Sequence, residues 1–238
     1  MKAAAMILCA MLTASNMKSQ SFDLPVDYVN ILMGTQSEFA LSNGNTYPAI
    51  ALPWGMNFWT PQTRKIGDGW QYAYTDNKLN GFKQTHQPSP WMNDYGQFSI
   101  FPMVDRMEFD QEKRASWYSH KAEVAKPYYY SAYLADYDVT TEITPTERAA
   151  IFRFSFPETE NAFVLVDAFD KGSAVEILPE KNAIVGYTTR NSGGVPANFK
   201  NYFVIVFDRP FQQMHAVENK AIMQNSTKAE ADHAGAFI

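Results

Sequence analysis

The residues best suited to chemistry are concentrated between Gly81 and Gly96, where His86, Trp91, Asn93 and Asp94 stand close together with Pro88 and Pro90 just ahead of the indole. Each proline restricts its own backbone and biases the residue before it toward an extended shape, so such a loop can hold Trp91 in one orientation at little entropic cost. An indole face stacks on the C–H face of a sugar ring, and an imidazole, an amide and a carboxylate beside it supply hydrogen bonds. That is the composition a sugar site needs, an apolar platform with a few placed polar partners. Trp70, flanked by Gly67, Asp68, Gly69 and Gln71, is a second aromatic of this kind. The candidate substrate-binding residues are therefore Trp91, His86, Asp94, Asn93 and Trp70. The same residues admit a plainer reading, in which Trp91 is a core residue under a loop and His86 only satisfies a local hydrogen bond, and the residues themselves do not decide between the two.

Other chemistry is poorly provided for. Asp68, Asp76, Asp94, Glu142 and Glu147 are available carboxylates, but none lies in a motif that fixes a partner, so no catalytic residue is assigned. His86, His120, His215 and His233 lack the spacing of a metal site, no EF-hand-like loop is present, and no metal ligand is assigned either. Cys9 is the only cysteine and falls in the leader described below, which leaves no disulfide or thiol nucleophile in the mature chain.

The elements that must position these residues read as strands. Phe152, Phe154 and Phe156 alternate onto one face before Pro157 stops the run, and Phe163 to Asp167, Ala183 to Thr189 and Tyr202 to Asp208 repeat the pattern between turn signals. These four are expected to be core strands. No segment carries a helical apolar period over three turns, so helix should be minor. Between Gly34 and Tyr95 the chain is rich in Gly, Pro, Asn and aromatics, which suggests long loops packed over one sheet edge. Trp54 and Trp59, with apolar neighbours, are expected in the core. His233 to Ile238 looks like the opening of another apolar strand, and we expect a truncated sequence whose sheet lacks its last strand and exposes a pairing edge. The fold class expected is all-β, an antiparallel β-sandwich with long loops and minor helix.

Met1 to Gln20 has an early lysine, an apolar stretch and then small residues, the order of a secretory signal peptide. We assign residues 1–20 to the leader and 21–238 to a single β-sandwich domain. The apolar run is far short of the roughly 20 residues that span a bilayer, so no membrane span is expected. Cys9 lies inside the apolar core of the leader rather than at its end, which argues against a lipid anchor. The mature chain, periplasmic or extracellular, carries 18 basic and 25 acidic residues with no basic cluster, so no nucleic-acid partner is expected.

One further pattern narrows the function. Val29 to Thr35, Pro48-Ala49 through Leu52 to Met56, Gly81-Phe82 with Thr85-His86, Asp94-Tyr95-Gly96, Tyr129 to Leu134 and Thr146 to Ala149 follow one another in an order and spacing that resembles the amino-terminal domain of glycoside hydrolase family 92. That family contains exo-acting α-mannosidases. The resemblance covers nearly all of the mature chain, and implies a β-sandwich packed on a larger carboxyl-terminal helical (α/α)6 barrel with the active site at their junction. It implies calcium as cofactor and inversion at the anomeric carbon. Both catalytic carboxylates and most of the calcium site would belong to the helical domain, which this sequence is expected to lack.

The sequence departs from the common family pattern twice, with Pro48-Ala49 in place of Pro-Gly-Ala and with His86-Gln87-Pro88-Ser89-Pro90-Trp91 in place of a glycine-rich run after the histidine. The second departure resembles the variant in which a loop tryptophan faces the leaving-group sugar, which implies Trp91 and His86 as specificity determinants; the enzyme is expected to be of α-1,2 type. The reading is thus the substrate-binding domain of an α-mannosidase acting on mannose-containing glycans, incomplete without its catalytic domain. The alternatives are a free-standing carbohydrate-binding module and a non-functional fragment.

Overall fold

The computed structural model describes residues 24–36, 46–64, 71–86 and 98–238. The proposed leader, and Trp70, Trp91, Asn93 and Asp94, lie outside the described residues. The first strands are β1 (Phe58–Gln62), β2 (Lys78–Leu79), β3 (Gly81–Thr85) and β4 (Phe98–Val104), followed by the short helix α1 (Gln111–Arg114). Then come β5 (Ser116–Trp117), β6 (Val124–Lys126), β7 (Tyr129–Leu134), β8 (Val139–Pro145), β9 (Ala150–Ser155) and β10 (Ala162–Asp167). The remainder is β11 (Ser173–Leu178), β12 (Ala183–Thr188), β13 (Asn201–Val206), β14 (His215–Glu218), β15 (Ala221–Gln224), β16 (Lys228–Ala231) and β17 (Ala234–Phe237).

These strands make a seven-stranded sheet in the order β1-β3-β4-β10-β17-β14-β15, two four-stranded sheets, β6-β7-β8-β9 and β13-β12-β11-β16, and the small ribbon β2-β5. Strand pairing within them is antiparallel throughout. The all-β antiparallel sandwich expected from the alternation is what forms, and helix is minor. The three larger sheets meet at an aromatic cluster. Trp59 of β1 stands edge-on to Phe98 of β4 at 5.6 Å and to Phe152 of β9 at 4.7 Å, while Phe98 stacks on Phe203 of β13 at 4.4 Å. Rings in these offset and edge-on arrangements add specific attraction to their burial. In β9, Phe152 and Phe154 turn inward while Ile151, Arg153 and Ser155 face solvent, as the period of two requires. Helix α1 is only four residues long and survives on its cap: the Asp110 carboxylate accepts from the amides of Glu112 and Lys113.

Four expectations need correction. The Gly34 to Tyr95 region is not only loop, because β1 and β3 lie in it and form one edge of the large sheet. They are hard to see in sequence for physical reasons: Pro61 is tolerated in β1 because that strand is at the edge, and β3 is buried on both faces and so shows no alternation. Trp54 is not in the core; it is fully exposed at 100% on a tight turn with φ of 63°. Trp59 is buried as expected. Strand β13 is an edge strand whose outward row, Tyr202, Val204 and Val206, is 71%, 68% and 72% exposed. The last strand, β17, is not at an edge at all, since it pairs with β10 on one side and β14 on the other.

Candidate functional site

The site is organised by β3. All five of its residues are buried, and the strand ends by delivering His86 to the surface. The Gln84 side-chain amide lies 3.1 Å from His86 Nε2. An amide nitrogen can only donate, so in this arrangement Nε2 of the neutral ring accepts and Nδ1 carries the proton. Gln84 is held in turn by its place opposite Trp59, whose indole nitrogen donates to Asn57 at 2.9 Å. The imidazole is therefore oriented by a chain of contacts running into the aromatic core.

The other side of the large sheet carries a polar row. Thr60, Lys83, Ser99, Asp167 and Gly235 stand opposite one another across β1, β3, β4, β10 and β17, and all five are buried. Lys83 is accommodated beneath Tyr47, its ammonium 5.1 Å from the ring centroid, a cation over an aromatic face. Gly81 is needed here because a methyl group would come within 3.0 Å of the Gln62 side-chain oxygen and 3.1 Å of Ser99 Oγ. Asp167 is the charged centre of the row. Its carboxylate meets Arg114 at 2.9 Å and His233 Nε2 at 2.7 Å, and accepts from the Phe169 amide at 3.1 Å. Burial pushes this carboxyl up, but the His233 ring and the Arg114 guanidinium outweigh it and hold the group well below the usual carboxylate range.

A second buried carboxylate, Glu123, accepts from Tyr130 at 2.7 Å and pairs with His120 Nδ1 at 2.5 Å. His120 Nε2 reaches the Tyr74 carbonyl at 2.6 Å, and the two rings stack at 4.1 Å. Neither Asp167 nor Glu123 was singled out from sequence. The one hint was position, since Asp167 closes an otherwise apolar strand. Of the carboxylates that were named, Asp76 pairs with Arg64 at 2.8 Å and Glu142 with Arg153. Among the described residues, no three His, Cys, Asp or Glu side chains cluster so as to hold a metal ion. Of the predicted binding residues the structure places only His86.

Residues 28–238 match the model of the glycosyl hydrolase family 92 N-terminal domain. The chain belongs to this family. Among solved structures, it is 47% identical to a family GH92 inverting mannosidase from Bacteroides thetaiotaomicron, covering 89% of this chain and 29% of that one with a TM-score of 0.85. A family GH92 α-mannosidase from the same organism is 26% identical with a TM-score of 0.74, covering 90% of this chain and 30% of that one. An uncharacterized secreted glycosidase of Arthroderma benhamiae is 26% identical over 140 residues, which make up 55% of this chain and 17% of that protein. The chain thus spans less than a third of the length of these relatives.

Two segments far apart in sequence meet in space. Thr146 closes the β8–β9 turn by accepting from the Ala149 amide at 2.9 Å, and this turn receives the Met56 amide on the Glu147 carbonyl at 2.8 Å and the Asn57 side chain on the Ala149 carbonyl at 2.7 Å. The Pro48 to Met56 and Thr146 to Ala149 segments therefore form one contact, adjacent to the Asn57–Trp59–Gln84 chain that orients His86. The Gly34-Thr35 segment is tied instead to the chain ahead of β2, where the Tyr74 amide donates to the Thr35 carbonyl at 3.2 Å. No helix among the described residues is long and apolar enough to cross a membrane.

Proposed function

We propose that this chain is the substrate-binding amino-terminal part of an inverting exo-α-mannosidase of α-1,2 type, acting on mannose-containing glycans. The observation that carries the reading is His86, an exposed imidazole presented at the end of a fully buried strand and oriented by Gln84. A polar group held on a rigid element is what a specificity contact requires. Trp91, Asn93, Asp94 and Trp70 complete the proposed sugar wall. Similarity to an inverting mannosidase and an α-mannosidase supports the choice of substrate class.

Inversion needs an acid and a base carboxyl roughly 6.5–9.5 Å apart, with water between. The described carboxylates Asp167, Glu123, Asp76 and Glu142 are engaged in ion pairs that hold the fold. In this reading the acid, the base and the calcium ligands come from a carboxyl-terminal helical (α/α)6 domain, and the protein is exported under the direction of residues 1–20. The similarity to a protein described as a secreted glycosidase agrees with export.

The test pairs two preparations. The chain without residues 1–20 should show no hydrolysis of α-1,2-mannobiose with or without calcium. The same chain continued into a helical catalytic domain should turn the sugar over, and His86→Ala or Trp91→Ala should then raise KM or lower kcat/KM. Calcium-dependent turnover by the shorter chain overturns the division of labour. Unchanged kinetics in both variants overturn the assigned wall.

A further inference from the structure

We propose that the cleft beside Trp117 is a second carbohydrate subsite, taking a neutral pyranose unit of an extended glycan; the inference rests on the glycan-binding reading above. The β2-β5 ribbon sets Trp117 opposite Lys78. The backbone of Trp117 is fixed on both sides, its amide donating to the Asp136 carboxylate at 2.7 Å and its carbonyl accepting from Ala135 at 2.9 Å. Strand alternation turns Ser116 inward and Trp117 outward, which leaves the indole 51% exposed on a fixed backbone. It borders a cleft of about 710 Å³, within the roughly 300–1,000 Å³ range of small-molecule sites.

The chemistry of the walls selects the ligand. Lys78 holds its ammonium over the Trp117 ring, 5.0 Å from the centroid, so it covers part of one indole face, leaves the opposite face as the platform, and sets a donor beside the ring. Thr75 and Asn77 line the cleft as exposed hydroxyl and amide groups, and Asp76 is held by Arg64 at 2.8 Å and by Thr63 Oγ1 at 2.7 Å. The two cations in the lining, Arg64 and Lys78, are matched by Asp76 and Glu112. A phosphate or an acidic peptide would meet as much repulsion as attraction there. A neutral ring with hydroxyls on its rim and a C–H face for the indole meets neither.

The cleft also has a defined relation to His86. The ribbon runs directly into β3 through Asn80, whose amide donates to the Gln62 carbonyl at 2.9 Å. Asn80 and His86 lie at opposite ends of that strand, about 20 Å apart at strand rise. One glycan could reach both positions only if it were an oligosaccharide.

The experiment uses the chain without residues 1–20, labelled with nitrogen-15 at the indoles and titrated with α-1,2-linked mannotetraose and mannobiose. The Trp117 indole signal, identified by its absence in Trp117→Phe, should shift saturably with the tetraose. Affinity for the tetraose should fall about tenfold in Trp117→Ala, and by a smaller factor in Asn77→Ala, while both variants keep the wild-type melting temperature. Binding that leaves the Trp117 signal unmoved, or no binding at all, overturns the inference. The outcomes separate the two sites. Binding that depends on His86 and Trp91 with Trp117 silent removes only the second subsite, and a Trp117 shift insensitive to His86→Ala and Trp91→Ala removes only the first.

Discussion

Asp167 of β10 and Arg114 of α1 bury opposite charges 2.9 Å apart with neither side chain reaching solvent. Arg114 also donates to the backbone carbonyls of Asn80 at 2.7 Å and Phe109 at 3.0 Å, while its own carbonyl accepts from Tyr137 at 2.9 Å. The pair therefore connects the start of β3, the helix α1 and strand β10. Removing one partner leaves the other charge buried and unmatched, which costs about 3–5 kcal/mol. Asp167→Asn should lose that much in urea unfolding, and a loss below 1 kcal/mol would show that the pair does not hold the sheet.

The same carboxylate sets an acid limit. Its folded-state pKa lies below its unfolded value. The stability it contributes is present in full above the unfolded carboxyl value of about 3.9 and is lost as pH falls toward the lower folded value. The urea midpoint should decline below about pH 4, and the decline should be shallower in Asp167→Asn. Equal acid slopes in the two proteins would assign the loss to other groups.

The two tryptophans that look alike in sequence should behave oppositely. Trp54 is fully exposed, so Trp54→Ala should change stability by no more than about 0.5 kcal/mol. Trp59 lies where three sheets meet, so Trp59→Ala should cost about 3–5 kcal/mol. Thermal melts of the two variants check the contrast directly.

Gly235 has no room for a side chain. A methyl group there would stand 2.5 Å from the Phe109 ring and 2.9 Å from the Val166 carbonyl, and the latter is backbone that cannot rotate away. Gly235→Ala should destabilise by about 1–3 kcal/mol. A wild-type melting temperature in that variant would show that β17 can move relative to β10.

Tyr202, Val204 and Val206 form an exposed apolar row on edge strand β13, where natural edges usually carry charge, and self-association through it is the expected consequence. Val204→Lys should lower concentration-dependent self-association in analytical ultracentrifugation without lowering stability. Self-association equal to wild type would place the contact elsewhere.

The sandwich was legible because several of its strands face a core on one side only. Phe152 and Phe154 alternate with Ile151 and Arg153 in β9, and that period of two needs no tertiary information. A strand buried on both faces shows no alternation and one that contains a proline reads as a loop, which is why β3 and β1 are read as loop; β13 is read as core because its apolar residues do not say whether a second sheet covers them. His86 could be nominated from the loop composition around it, but its orientation by Gln84, Trp59 and Asn57 could not, because those contacts depend on strand register.

By itself, then, the sequence determined the antiparallel β class, the family and the candidate sugar-facing residues, since alternation, turn residues and motif order are local or ordered along the chain. Only the tertiary structure decided that Asp167, Arg114 and His233 form one buried charge cluster, that Trp54 faces solvent, that β17 is interior and that Trp117 lines a polar cleft. Those outcomes depend on which strands become neighbours. Register and burial are properties of the packed sheets, and no short stretch of sequence carries them.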